Sequence, residues 1–403
     1  MRIGLISVVL AAVTSFGVGS SRAADETVSA WRLFVSTHEP PAVHVFDALS
    51  RKALAAFPMK SPGWLYRSES GETVFAAQRD AGKVSAIASG IGIQDHGDHG
   101  DIDVRGAKML GFALQEEKPG HVVAHKGNVA FWFDGEPDAR IVSESAVLSG
   151  KAKPRTVHVG APHHGVAVPY DSHAVVTIPG PADSSQRIAG ARVVGYDGKQ
   201  VGQDVACPNL HGEAISGNLA LLACENGLLF IEQKRGIPQV RHVPYPAFFP
   251  EGSRVSTLAG GQGLQYFIGN LGSDRVVVID PSANGSIQQV ELPTRRIHFA
   301  VDPVRPRLSY IFTADGKLHQ LDVVASEITK SLNVIEPYPT GDQWRGPLPR
   351  IAVAGEHVVL TDPRNNKIHL IDAAQFTKAG EIPLAGMPFS VVAVGGTGRV
   401  HEK

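Results

Sequence analysis

Along this chain of 403 residues, helical periodicity is scarce. Short runs of apolar and β-branched residues recur instead, each closed by an acidic residue and a turn, which predicts strands. Phe46-Asp47, Tyr196-Asp197, Ile231-Glu232, Ile279-Asp280, Leu321-Asp322 and Ile371-Asp372 each end such a run. The later closings are spaced by 35, 48, 42 and 50 residues, and runs at 84–88 and 140–143 fill the interval between Asp47 and Asp197. Within a unit the runs come in fours, as at 213–216, 219–223, 227–231 and 239–243, and again at 350–353, 357–361, 367–371 and 380–382. Four antiparallel strands in each repeat of about 40–50 residues predict an all-β, single β-propeller. Eight blades give about 47 residues each and seven give about 54, so the count leans to eight.

Ring closure has its own mark. The run at 389–394 is an orphan inner strand, while 31–35 and 43–47 are orphan middle strands at the other end. Pairing them completes one blade from both termini and removes the open edges. Two segments break the repeat, an insertion at 91–108 and a Pro/Gly/Trp loop at 334–349 that holds Trp344. Long ordered loops in a compact fold usually serve function.

The first residues predict export. Met1-Arg2 is a short positive start, 3–18 is apolar, and Ser21-Arg22-Ala23-Ala24 is a small-residue exit. Residues 1–24 therefore read as a cleaved signal peptide and 25–403 as one propeller domain, expected in the periplasm as a monomer without membrane insertion. With 38 Lys and Arg against 39 Asp and Glu the chain is near neutral, and it carries no basic tract, which excludes a nucleic-acid binder. Gly 43 and Pro 27 suit many tight turns. Outside the cytoplasm the two cysteines, Cys207 and Cys224, are expected to form a disulfide.

Candidate chemistry lies in the histidines. The insertion reads Asp95-His96-Gly97-Asp98-His99-Gly100-Asp101, followed by Asp103. Imidazole with carboxylate suits zinc, whereas calcium prefers an all-oxygen set. His96, Asp98 and His99 are the expected ligands of this loop, and Gly97 and Gly100 allow the turns that bring the two rings together. A second set precedes inner strands in three consecutive units: Pro119-Gly120-His121, Pro162-His163-His164-Gly165 and Leu210-His211-Gly212-Glu213. Equivalent positions in neighbouring blades meet at one mouth of the channel, so His121, His164 and His211 are expected to form a metal cup. The loop with His96 and His99 is expected to fold over that cup as a lid, and His163 is a further candidate ligand. His298 and Arg296 are placed in the same channel, and Tyr245, Phe248 and Phe249 in a rim loop.

Segments 95–101, 162–168, 207–213, 261–269, 293–303 and 349–363 resemble the periplasmic zinc chaperones of the AztD type. The resemblance covers nearly all of the chain after its leader. It implies zinc carriage without catalysis, two metal sites per chain, and delivery of Zn2+ to the periplasmic solute-binding protein of an ABC importer. Members of that family can carry a His-rich stretch after the signal peptide, whereas here Asp25-Glu26-Thr27-Val28-Ser29 has no histidine. Two other readings compete. A metal-dependent, lactonase-like hydrolase would need an open coordination position and a base such as Glu213. A bare interaction platform would leave the histidines incidental. A serine hydrolase has no Gly-x-Ser-x-Gly elbow to support it.

Overall fold

A computed structural model describes residues 26–97, 99–183, 185–282, 285–339 and 346–400. The expected leader at 1–24, Asp98 and Trp344 lie outside the described residues. The repeat becomes eight four-stranded antiparallel blades, one of them extended into a six-stranded sheet. In chain order we number them blade 1 (64–115), blade 2 (119–158), blade 3 (167–206), blade 4 (213–244), blade 5 (258–291), blade 6 (296–333), blade 7 (351–383) and the closing blade 8.

Blade 8 is assembled from both ends of the chain. Glu26–Thr37 pairs antiparallel with the inner strand Pro388–Val400, from Glu26 opposite Val400 to Thr37 opposite Pro388. The sheet continues outward through Ala42–Asp47 and Ala53–Pro58. No single stretch of chain thus forms the last blade, and the ring cannot open without losing this whole ladder.

Each contact between neighbouring blades has its own buried apolar cluster. Blades 7 and 8 share Trp31, Leu33, Ile368 and Leu370, and blades 3 and 4 share Val168, Val175, Leu222 and Ile231. Middle strands are buried on both faces, as in Phe267–Leu271, so their sequences read as continuous apolar runs rather than alternating ones. The disulfide Cys207–Cys224 ties the end of blade 3 to blade 4, as expected, across a sequence separation of 17.

The inner strands all start on one face of the ring, called here the top, and end on the bottom. The insertion leaves blade 1 after its third strand, Lys83–Ala88, whose last residue pairs with Thr73 at the bottom edge. It forms a hairpin of Ile91–Asp95 and Gly100–Val104, which joins blade 8 where Asp101 pairs with Arg399. Ile91 and Ile102 pack there on Ala30.

Candidate metal site

His121, His164 and His211 meet at the top mouth. His121 is the third residue of the inner strand Pro119–His125, His164 comes just before Ala167–Pro169, and His211 just before Glu213–Ser216. Ring centroids are 5.0 Å apart for His121 and His164, and 5.6 Å apart for His164 and His211. Two glycines allow this approach. Gly212 has φ +101°, and a side chain there would meet the Ser256 carbonyl at 2.8 Å. A Cβ at Gly165 would lie 2.1 Å from Thr177 Oγ1.

Each of the three rings is held at Nδ1 by an acceptor. His121 Nδ1 is 2.7 Å from Glu213 Oε1, His164 Nδ1 is 2.9 Å from Asp134 Oδ2, and His211 Nδ1 is 2.8 Å from the Ser256 carbonyl. A proton fixed on Nδ1 leaves the Nε2 lone pair for a metal, the arrangement usual around histidine-ligated zinc. His121 Nε2 and His164 Nε2 stand 3.4 Å apart. Zinc–nitrogen bonds of 2.0–2.1 Å make the edge of a tetrahedral shell about 3.3–3.4 Å, so this pair already has the spacing of two ligands of one ion. Among the described residues no group of three or more His, Cys, Asp or Glu closes on a single point. Completing a three-histidine shell takes side-chain adjustment, which the exposed rings of His164 and His211 can make.

The electrostatics are acidic around these imidazoles. Burial opposes charge on His121, but the Glu213 carboxylate, by proximity and by hydrogen bond, with Asp134 behind it, raises its pKa above the ordinary histidine value. Burial works against the Asp134 carboxylate, and the hydrogen bonds from His164 and Arg79 outweigh it and lower its pKa.

His163 is not drawn into this cluster. Its Nδ1 is engaged with the Ala161 carbonyl at 2.7 Å and its Nε2 with Thr177 Oγ1 at 3.0 Å, while its ring packs edge-on against Trp132. The lid is not formed either. Three strands separate the start of a blade from the loop after its third strand, so that loop emerges on the bottom, opposite the cup. His96 and His99 form a separate cluster, stacked at 5.2 Å between centroids. Asp101 lies between them, with Oδ2 at 3.1 Å from His96 Nε2 and Oδ1 at 3.6 Å from His99 Nε2. Asp95 is occupied with the Gly97 N–H at 2.8 Å, and Asp103 with Arg105 at 2.6 Å.

Asp134 escaped the sequence reading. Its only signal was the acidic residue closing Asn128–Phe133, a mark shared by many strands. The remaining strand histidines are structural where the contacts show it. His125 is fully buried with its pKa lowered by burial to about 4, and His319 bridges Thr313 and Ser331.

No family model matches the chain. It is 54% identical over 378 residues to the zinc chaperone AztD of Citrobacter koseri, covering 94% of this chain and 90% of that protein. The crystal structure of Citrobacter koseri AztD superposes with a TM-score of 0.90 at 53% identity, over 93% of this chain and all (100%) of that one. The structure of apo AztD from the same organism gives 0.87 at 52% identity, over 93% and 100%. The dihydro-heme d1 dehydrogenase NirN, at 13% identity and a TM-score of 0.58 over 89% of this chain and 74% of that one, shares the fold alone. Identity of this extent over nearly the whole chain places it in a family: it belongs to the AztD zinc chaperones.

Proposed function

We propose that this chain binds zinc through the Nε2 atoms of His121, His164 and His211, and hands the ion to the solute-binding protein of an ABC zinc importer in the periplasm. The observation that carries this reading is the cup itself: three imidazoles in three consecutive blades, each anchored at Nδ1 and two already at ligand spacing. Membership of a family of chaperones makes the chain a non-enzymatic protein, and the hydrolase alternative is dropped.

The cup is built for release as well as capture. His121 is 22% exposed and braced by Glu213, whereas His164 is 41% exposed at the rim. An incoming ligand from an acceptor can displace the rim histidines first, while His121 holds the ion. Exchange of that kind needs no step in which free zinc is lost to solvent. The hairpin cluster of His96, His99 and Asp101 is read as a second zinc site, on the opposite face. The leader at 1–24 and the disulfide between Cys207 and Cys224 support an exported, oxidising location.

The test is to load the mature chain with zinc, count bound ions, and mix it with the purified solute-binding protein. Transfer faster than spontaneous dissociation supports delivery by contact. Transfer at the dissociation rate would refute it.

A further inference from the structure

Away from the histidine cup, the central channel holds a partly open cavity of about 990 Å³, lined in part by Arg296, His298 and Arg350. Arg296 begins the inner strand Arg296–Val301 of blade 6, and Arg350 immediately precedes Ile351–Ala354 of blade 7. The two cations therefore occupy equivalent positions in adjacent blades. Neither guanidinium has a carboxylate partner or a hydrogen-bond acceptor among the described residues, and the buried Nε of each is unpaired. Elsewhere arginines are neutralised, as Arg140 is by Glu116, Arg192 by Asp204 and Arg305 by Asp302. The cavity's own carboxylates are turned to other partners, Glu69 to the Gly127 N–H and Glu356 to Arg305.

What holds the two arginines is aromatic. The Arg350 guanidinium carbon lies 4.7 Å from the Trp64 ring centroid, and that of Arg296 lies 5.2 Å from Phe299. Stacking orients a guanidinium and leaves its N–H edge for another acceptor. Between them, the His298 Nδ1 accepts the Ile351 N–H at 3.1 Å. Burial, with Arg350 and Arg296 nearby, keeps this imidazole neutral, so its proton sits on Nε2 as a donor.

We propose that this cavity binds a small organic oxyanion, a carboxylate or a phosphate ester, whose charged end bridges Arg296, Arg350 and His298. Two buried like charges repel each other, and the Arg350 guanidinium, desolvated and beside Arg296, is pushed down to about 10 while staying charged at neutral pH. A bound oxyanion removes that repulsion and supplies the missing acceptors, since charge-assisted and bidentate hydrogen bonds to arginine are the strong ones. Ile351 and Ala352, next to Arg350 in the chain, also line the cavity and offer an apolar wall to the carbon part, which distinguishes an organic anion from an inorganic ion. The site is independent of zinc.

The experiment uses the metal-free mature chain, so a failure of zinc binding does not enter it. Thermal unfolding is followed with inorganic phosphate, citrate or glycerol 3-phosphate against sodium chloride at matched ionic strength, and binding is measured by calorimetry. At least one of the organic anions should raise Tm beyond chloride and bind more tightly than inorganic phosphate. Arg296→Gln and Arg350→Gln should each weaken that binding about tenfold or more. Absence of any shift beyond chloride would overturn the proposal, as would unchanged affinity in both variants. Binding of inorganic phosphate at equal or greater strength would overturn its organic character.

Discussion

His121 Nδ1 and Glu213 Oε1 lie 2.7 Å apart although 92 residues of chain separate them. The pair spans the mouth of the ring from blade 2 to blade 4, skipping blade 3, because inner strands converge on one axis. A single carboxylate therefore sets the orientation of the His121 ring, the less exposed of the pair His121 and His164. In the proposed site Glu213 orients His121 as a ligand and is not itself needed as one.

Substitutions should separate these two roles. His121→Ala, His164→Ala and His211→Ala each remove a donor and should abolish tight binding at the cup. Glu213→Gln should keep one zinc in the cup and weaken it by about 10–100-fold, the usual cost of losing a partner behind a ligand. Competition with a chromophoric chelator measures both. Equal effects of Glu213→Gln and His121→Ala would instead make Glu213 a ligand.

Acidification should unload the cup. The raised His121 pKa means that its proton is held more tightly than that of an ordinary histidine, and zinc must displace it. Zinc affinity should therefore fall between about pH 7.5 and about pH 5.5. The stability of the metal-free protein should have the opposite sign. Its protonated His121–Glu213 pair adds stability in full below the ordinary histidine pKa, and that stability is lost as pH rises through the raised folded value. Glu213→Gln should flatten the pH dependence of metal-free Tm near neutrality.

The hairpin should behave as a separate site. His96→Ala with His99→Ala should lower the zinc count from two to one and leave the affinity of the cup unchanged, because the two clusters stand on opposite faces. Zinc counting by atomic spectroscopy after dialysis against graded chelator concentrations checks this. Loss of both ions together would mean that the hairpin and cup act as one site.

Much of this was legible before any coordinates. Acidic closings such as Ile371-Asp372 mark strands because the side chain caps the following turn: Asp372 Oδ1 accepts the N–H groups of Ala374 and Gln375. The orphan strands at the two ends could satisfy their backbone only by pairing with each other, and they do. His121, His164 and His211 were legible because register converts equal positions in blades into neighbours in space. The side of the ring on which the insertion emerges is not legible from its distance in sequence to His121; it follows from the strand that precedes it, the third of blade 1. Asp134, by contrast, supports His164 from the far end of a middle strand. No local pattern distinguishes it from a turn-forming aspartate.

The disulfide anchors the backbone that carries His211, four residues beyond Cys207. Replacing Cys207 and Cys224 by serine should lower stability by about 3 kcal/mol, the loop-closure value for a loop of this length. Zinc affinity at the cup should change little at low temperature, where the blade remains folded. Urea unfolding of the metal-free variant and the oxidised parent gives the difference.

The most direct test is diffraction from zinc-loaded crystals at energies above and below the zinc absorption edge. The expected result is an anomalous peak in the top mouth of the channel, about 2.0–2.1 Å from Nε2 of His121, His164 and His211. A zinc peak at the hairpin with none in the mouth, or one bound there without these three nitrogens, would contradict it.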